Sequence, residues 1–163
     1  MIRKIAKVDI DRKPLDVRDF VWRLVMVEEI LGCKIGRIGI LETAKGYHVY
    51  VEVIGELDNK DLIIVQLALG SDYIRELYNL RRVKNCVRNW NVLFTAKYKE
   101  EGGKLVKISE EIPAMELAYK VVTEYMHLKQ CKENHKEAVR DGCNLEVGED
   151  ADMPRDKEDE KKD

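Results

Sequence analysis

Residues 40–53 read ILETAKGYHVYVEV. After Thr43-Ala44-Lys45-Gly46 the chain alternates strictly: Tyr47, Val49, Val51 and Val53 fall on one face of an extended segment, and His48, Tyr50 and Glu52 on the other. The preceding IGRIGILE, residues 35–42, is a second strand, so the pair predicts a hairpin in which Gly46 suits the left-handed position of a short turn. A valine face packs well against helices. A histidine, a phenol and a carboxylate along the opposite face need another explanation.

Working outward, IRKIAKVDID at residues 2–11 is also a strand, with Ala6, Val8 and Ile10 on one face and Lys7, Asp9 and Asp11 on the other. After Pro14, Asp16 is placed to cap a helix whose Val17, Phe20, Leu24, Val27 and Leu31 repeat at helical spacing, and Gly32 ends it. Residues 58–70, DNKDLIIVQLALG, predict a short helix capped by Asp58 or Asn59, and residues 71–85, SDYIRELYNLRRVKN, a second one capped by Ser71 or Asp72. NWNVLFTAKY, residues 89–98, predicts a fourth strand that Gly102-Gly103 turn back into KLVKIS, residues 104–109. A last helix from about Pro113 carries Ala114, Leu117, Ala118, Val121, Tyr125 and Leu128 as its apolar stripe.

The order strand, helix, strand, strand, helix, strand is the split βαβ, or ferredoxin-like, α+β arrangement shared by RNA-recognition-motif domains and polymerase palms. It predicts a palm domain over residues 1–112, a C-terminal helix over 113–142 and an acidic, disordered tail over 143–163. In this fold helices cover one face of an antiparallel sheet and leave the other open, with the first and third strands adjacent at its centre. Parity then puts Asp9 and Asp11 on the open face beside His48, Tyr50 and Glu52.

The totals fit one soluble domain with appendages: 163 residues, 45% hydrophobic and 37% charged, rich in Lys and Glu as many thermophile proteins are. No run of about 18 apolar residues occurs, and the N-terminus lacks a signal-peptide core, which predicts a cytoplasmic protein. Cys33, Cys86, Cys131 and Cys143 contain no CxxC and read as reduced thiols. Residues 1–112 carry 20 Lys+Arg against 17 Asp+Glu, and residues 113–163 carry 9 against 14. The palm is too weakly basic for a nucleic-acid coat, so any such contact is local.

Aspartates at i and i+2 on one strand face present hard oxygens for Mg²⁺ or Mn²⁺; the plain alternative is a solvated strand end. VDID at 8–11 followed by a helix and then ILETAKGYHVYVEV resembles the first two motifs of the archaeo-eukaryotic primase and primase-polymerase superfamily, an hDhD strand and an s-x-H strand. The resemblance implies a replication-associated palm that binds a nucleotide triphosphate with metal on Asp9 and Asp11 and phosphate on His48, for nucleotidyl transfer. It also implies a third acid, where NWNVLF offers only Asn89 and Asn91, so Asp72 or Glu52 would have to supply it. Gly46 stands where the family has serine. Rolling-circle replication initiators share the palm order, but His48-Val49-Tyr50 keeps only the first histidine of their metal pair, with Tyr119 or Tyr125 as the nucleophile to be cast.

In residues 71–85 helical spacing sends Ile74, Leu77 and Leu80 to one side and Arg75, Tyr78, Asn79 and Arg82 to the other. Residues 75–88 hold five basic residues against Glu76 alone, so Arg75 and Arg82 are candidate phosphate partners and Tyr78 a base-stacking ring. The alternatives are a solvated face and, for the chain, a non-catalytic protein that holds nucleic acid, DNA first, or a replication partner through this helix. Trp90 reads as packed. The strands lack the paired aromatics of an RNA-recognition module. His127, Cys131 and His135 at i, i+4 and i+8, with Cys143, could hold zinc only with a break in the helix. The late helix and acidic tail could instead meet a protein partner.

Overall fold

The computed structural model describes residues 1–142. The predicted acidic tail over 143–163, with Cys143, lies outside them. Two compact units are present, Met1–Gln130 and Cys131–Asp163. The first has a ferredoxin-like α+β fold, built in the order β1 (Arg3–Ile10), α1 (Val17–Leu31), β2 (Lys34–Glu42), β3 (Tyr47–Ile54), α2 (Asn59–Ala68), α3 (Tyr73–Lys84), β4 (Ala96–Glu101), β5 (Lys104–Glu110), β6 (Ile112–Pro113) and the start of α4 (Met115–Gly142). In the second unit the described residues, 131–142, are helical.

β1 and β2 flank β3, both antiparallel to it, and Asp9 lies directly opposite His48 in the register. Ala6, Val8, Ile10, Ile40, Val49, Val51 and Val53 are buried in one core with Phe20, Val21 and Leu24 of α1, Leu62, Ile63 and Val65 of α2, and Val121 and Tyr125 of α4. The valine face is therefore the helix-covered face. Asp16 caps α1 by accepting from the Asp19 amide, and Gly32 ends it at φ 62°. Asp58 and Asp61 close a capping box on α2, and Asp72 caps α3.

The hairpin turn works differently from the expectation. Gly46 does not have a positive φ. It is required because a Cβ there would overlap the Ile10 carbonyl, where the turn closes over the end of β1. A serine there would not fit without moving that strand.

The fourth strand also differs. Residues 90–94 form no strand, and β4 pairs only with β5 as a separate two-stranded ribbon, while the short β6 adds to the sheet beside β2. Trp90 and Leu93 are the buried anchors of this segment, and a spacing of three cannot put both on one face of a strand. The outer edge of β1 is satisfied by side chains and a loop amide instead. The Lys7 amide donates to Gln66 Oε1 (2.9 Å) and the Asp9 amide to Ser71 Oγ (3.0 Å). The Ile5, Lys7 and Asp9 carbonyls accept from Asn91 Nδ2 (3.4 Å), Arg75 Nη1 (2.8 Å) and the Asp72 amide (2.8 Å).

These partners converge on Glu76, which is 1% exposed. Its carboxylate accepts from Gln66 Nε2 (2.7 Å), Ser71 Oγ (2.7 Å), Asn79 Nδ2 (3.0 Å) and Arg75 Nη1. α3 consequently inverts part of its amphipathic pattern, with Glu76 and Asn79 inside and Ile74 and Leu77 at 49% and 60% exposure, while Leu80 and Val83 still pack against the core.

This inversion predicts stability effects that hydrophobicity alone would reverse. Glu76→Ala should cost about 3–5 kcal/mol, because it strands the buried Arg75 charge and several donors, whereas Leu77→Ala should cost less than about 0.5 kcal/mol. Urea unfolding of both variants checks this; a larger loss at Leu77 would contradict the arrangement.

Candidate functional site

The open face of the sheet forms the floor of a cleft of about 580 Å³ whose lining includes Asp9, Asp11, His48, Arg75, Tyr78 and Arg82. These are the six residues singled out from the sequence, and one cavity brings them together. β1 carries Asp9, the residues just after it carry Asp11, β3 carries His48 and α3 carries the other three. The loop at 92–95 and the base of the β4–β5 ribbon wall the opposite side with Phe94, Lys97 and Ile108.

His48 is held from both sides. Its Nδ1–H donates to Glu111 Oε2 at 2.7 Å, and its Nε2 lies 3.6 Å from Asp9 Oδ1, beyond a hydrogen bond. A carboxylate only accepts, so Glu111 places the proton on Nδ1 and leaves Nε2 facing Asp9 and the cleft. Glu111 was not legible in the sequence. It sits 63 residues from His48, just before β6, with its amide on the Thr95 carbonyl (3.1 Å).

The two candidates for a third acid separate cleanly. Asp72 lines the cleft, and its charge reaches Asp9. Glu52 does not line it: its carboxylate accepts from the Arg37 amide where the β2–β3 register shifts, and it pairs with Arg3. That is an acceptor for a bulged strand.

Burial pushes the Asp9 carboxyl above the ordinary carboxylate range, the Asp11 and Asp72 charges push it further, and His48 and Arg75 pull it back. Arg75 is largely committed to the fold. Besides Lys7 and Glu76, it donates through Nη2 to Asn91 Oδ1 (3.0 Å) and the Val92 carbonyl (3.3 Å), so what it offers the cleft is its charge. Arg82 donates to Asn79 Oδ1 (3.3 Å) and the Trp90 carbonyl (3.4 Å) from the exposed side of α3. Lys45 and Lys97 add two more cations to the lining.

Asp9 and Asp11 are the oxygen donors open to a divalent cation. Among the described residues no three His, Cys, Asp or Glu side chains make a metal-holding group, at this site or along α4. Cys33 is buried and Cys86 and Cys131 are exposed, all as thiols. Trp90 and Tyr125 are core residues and Tyr119 is exposed. Among the described residues no helix is long and apolar enough to cross a membrane. No family model matches the chain, and neither a curated protein nor a solved structure does.

The raised Asp9 carboxyl fixes a pH dependence. A proton held more tightly in the fold than in the unfolded chain, where the ordinary value is about 3.9, contributes stability at acid pH that is lost as pH rises through the folded value. Asp9→Asn removes that loss. The variant should match the parent near about pH 4 and exceed it in Tm at neutral pH. Thermal melts across that range check the sign; a variant less stable at neutral pH would contradict it.

Proposed function

We propose that the cleft is a primase-like nucleotide site: it binds a nucleoside triphosphate together with Mg²⁺ or Mn²⁺ for nucleotidyl transfer onto a nucleic-acid strand, DNA first, in a replication setting. The observation that carries the reading is the cross-strand juxtaposition of Asp9 and His48, with Asp11, Asp72 and Glu111 around them, in a cavity whose other wall is basic and aromatic.

The donor set suits such a ligand. Two carboxylates with no third protein ligand make a poor cage for a resident metal, but Mg²⁺ typically takes one or two carboxylates and completes its shell with phosphate oxygens and water. Bound there, the ion would polarise a phosphoryl oxygen and offset charge. The chain's own residues do the remainder. Asp9 and Asp11 fix where the cation-bearing phosphates sit. Asp72, whose charge already reaches Asp9, stands where the resemblance calls for a third acid, contributing charge beside the pair and not a third metal ligand.

His48, with its proton fixed on Nδ1 by Glu111, presents Nε2 to the phosphate region; protonated, it donates to a phosphate oxygen. Lys45 and Lys97 balance the triphosphate, and Tyr78 or Phe94 offers a face to the base. The ribbon and the 92–95 loop narrow the cleft and reduce the water around it. A protein partner for α4 and the acidic tail belongs to the same reading, as a replication contact.

Isothermal titration of the full chain with a nucleoside triphosphate and Mg²⁺ tests this. Binding should require the divalent cation and be lost in the Asp9→Asn/Asp11→Asn variant, while Glu52→Gln retains it. Affinity for the triphosphate that persists unchanged in the double variant would remove the site.

A further inference from the structure

The outward surface of α3 has a composition that the fold does not need. Glu76, the only acidic side chain between residues 73 and 88, is buried and ion-paired with Arg75. Arg81, Lys84 and Arg88 are exposed, and among the described residues none of them is in an ion pair. At 100° per residue, Tyr73, Ile74, Leu77, Tyr78, Arg81 and Lys84 fall within a single arc of about 140°. The face is thus apolar and aromatic with unopposed positive charge. An apolar patch of this kind on a monomer marks an interaction surface.

Charge decides the occupant. A second copy of this chain would set the same cations against one another, and a plain apolar protein partner would leave them buried without counter-ions. A polyanion that also exposes flat apolar groups satisfies both features. Duplex nucleic acid keeps its bases stacked inside; single strands expose them.

We propose that the outward face of α3 is a track for single-stranded nucleic acid, with Leu77 and Tyr78 under the bases and Arg81, Arg82 and Lys84 on the phosphates. From the preceding reading it takes only that the partner is a nucleic acid. Twelve residues of helix give it a length of about 18 Å. Its edge toward the sheet, Ile74, Tyr78 and Arg82, is also a wall of the cleft, so a strand lying on α3 passes the mouth of the cavity.

The test is fluorescence anisotropy of the full chain with labelled oligothymidylate and with a duplex of equal length. It is run in EDTA, so that no divalent cation occupies the cleft, and failure here is read separately from failure of metal-dependent nucleotide binding. The single strand should bind more tightly than the duplex. Tyr78→Ala should weaken it about tenfold or more, and Arg81→Gln/Lys84→Gln should reduce the slope of log K against log salt by about 1.4. Because these side chains are exposed, the melting temperatures should stay at the parent value, which separates lost contacts from lost folding. The proposal is overturned by equal binding of the duplex, by affinity indifferent to all three substitutions, or by sedimentation showing a dimer that Leu77→Glu dissociates.

Discussion

The outer edge of β1 has no neighbouring strand, and the need to satisfy its peptide groups organises the molecule. Five of them, on Ile5, Lys7 and Asp9, find partners in Gln66, Ser71, Asp72, Arg75 and Asn91. An unpaired buried peptide group costs about 1–3 kcal/mol. Burying Ile74 and Leu77 instead would return about 1.5–3 kcal/mol each. Polar satisfaction therefore outweighs apolar burial in setting the rotation of α3, and Glu76 is the acceptor on which the donors meet.

This edge also builds the floor of the cleft. The Asp9 backbone is clamped on both sides, by Ser71 and Asp72 outside and by its pairing opposite His48 inside, so its side chain has a fixed origin. Arg75, held beneath by Lys7 and Glu76, lends positive charge to a carboxylate that burial, Asp11 and Asp72 all disfavour. Ionisation of Asp9 is therefore disfavoured by the fold. A carboxylate disfavoured in this way, set in a cleft, is a candidate for function and not for stability.

What the sequence could reveal follows from how many choices each pattern leaves open. A strand has two faces, and valines at 49, 51 and 53 with Ala6, Val8 and Ile10 settle both; the meeting of Asp9 with His48 then needs only adjacency of the strands. α3 misleads for the opposite reason. Its apolar spacing is real, but whether that stripe faces inward depends on an unpaired strand edge that no local window contains. NWNVLFTAKY reads as a fourth strand, yet the anchors Trp90 and Leu93 are three apart and pull the chain out of a ladder. Glu111 left no signal, because its bond to His48 spans 63 residues and its immediate neighbours are ribbon. Gly46 was legible as a required glycine, though for the Ile10 carbonyl above it and not for its φ.

One physical choice joins the fold to its surface chemistry. A helix has one inward arc, and α3 gives that arc to Arg75, Glu76 and Asn79 with Leu80 and Val83; Tyr73, Ile74, Leu77 and Tyr78 must then face water. Such an arrangement persists only if the outward groups are not a liability. The unopposed cations among them limit self-association by repulsion, which a neutral apolar face would lack. The same cations, set beside rings and aliphatic chains, are what the proposed single-strand track would use. The surface that most resembles a folding defect in hydrophobic terms is therefore a consequence of building the acidic cleft's floor from an unpaired strand.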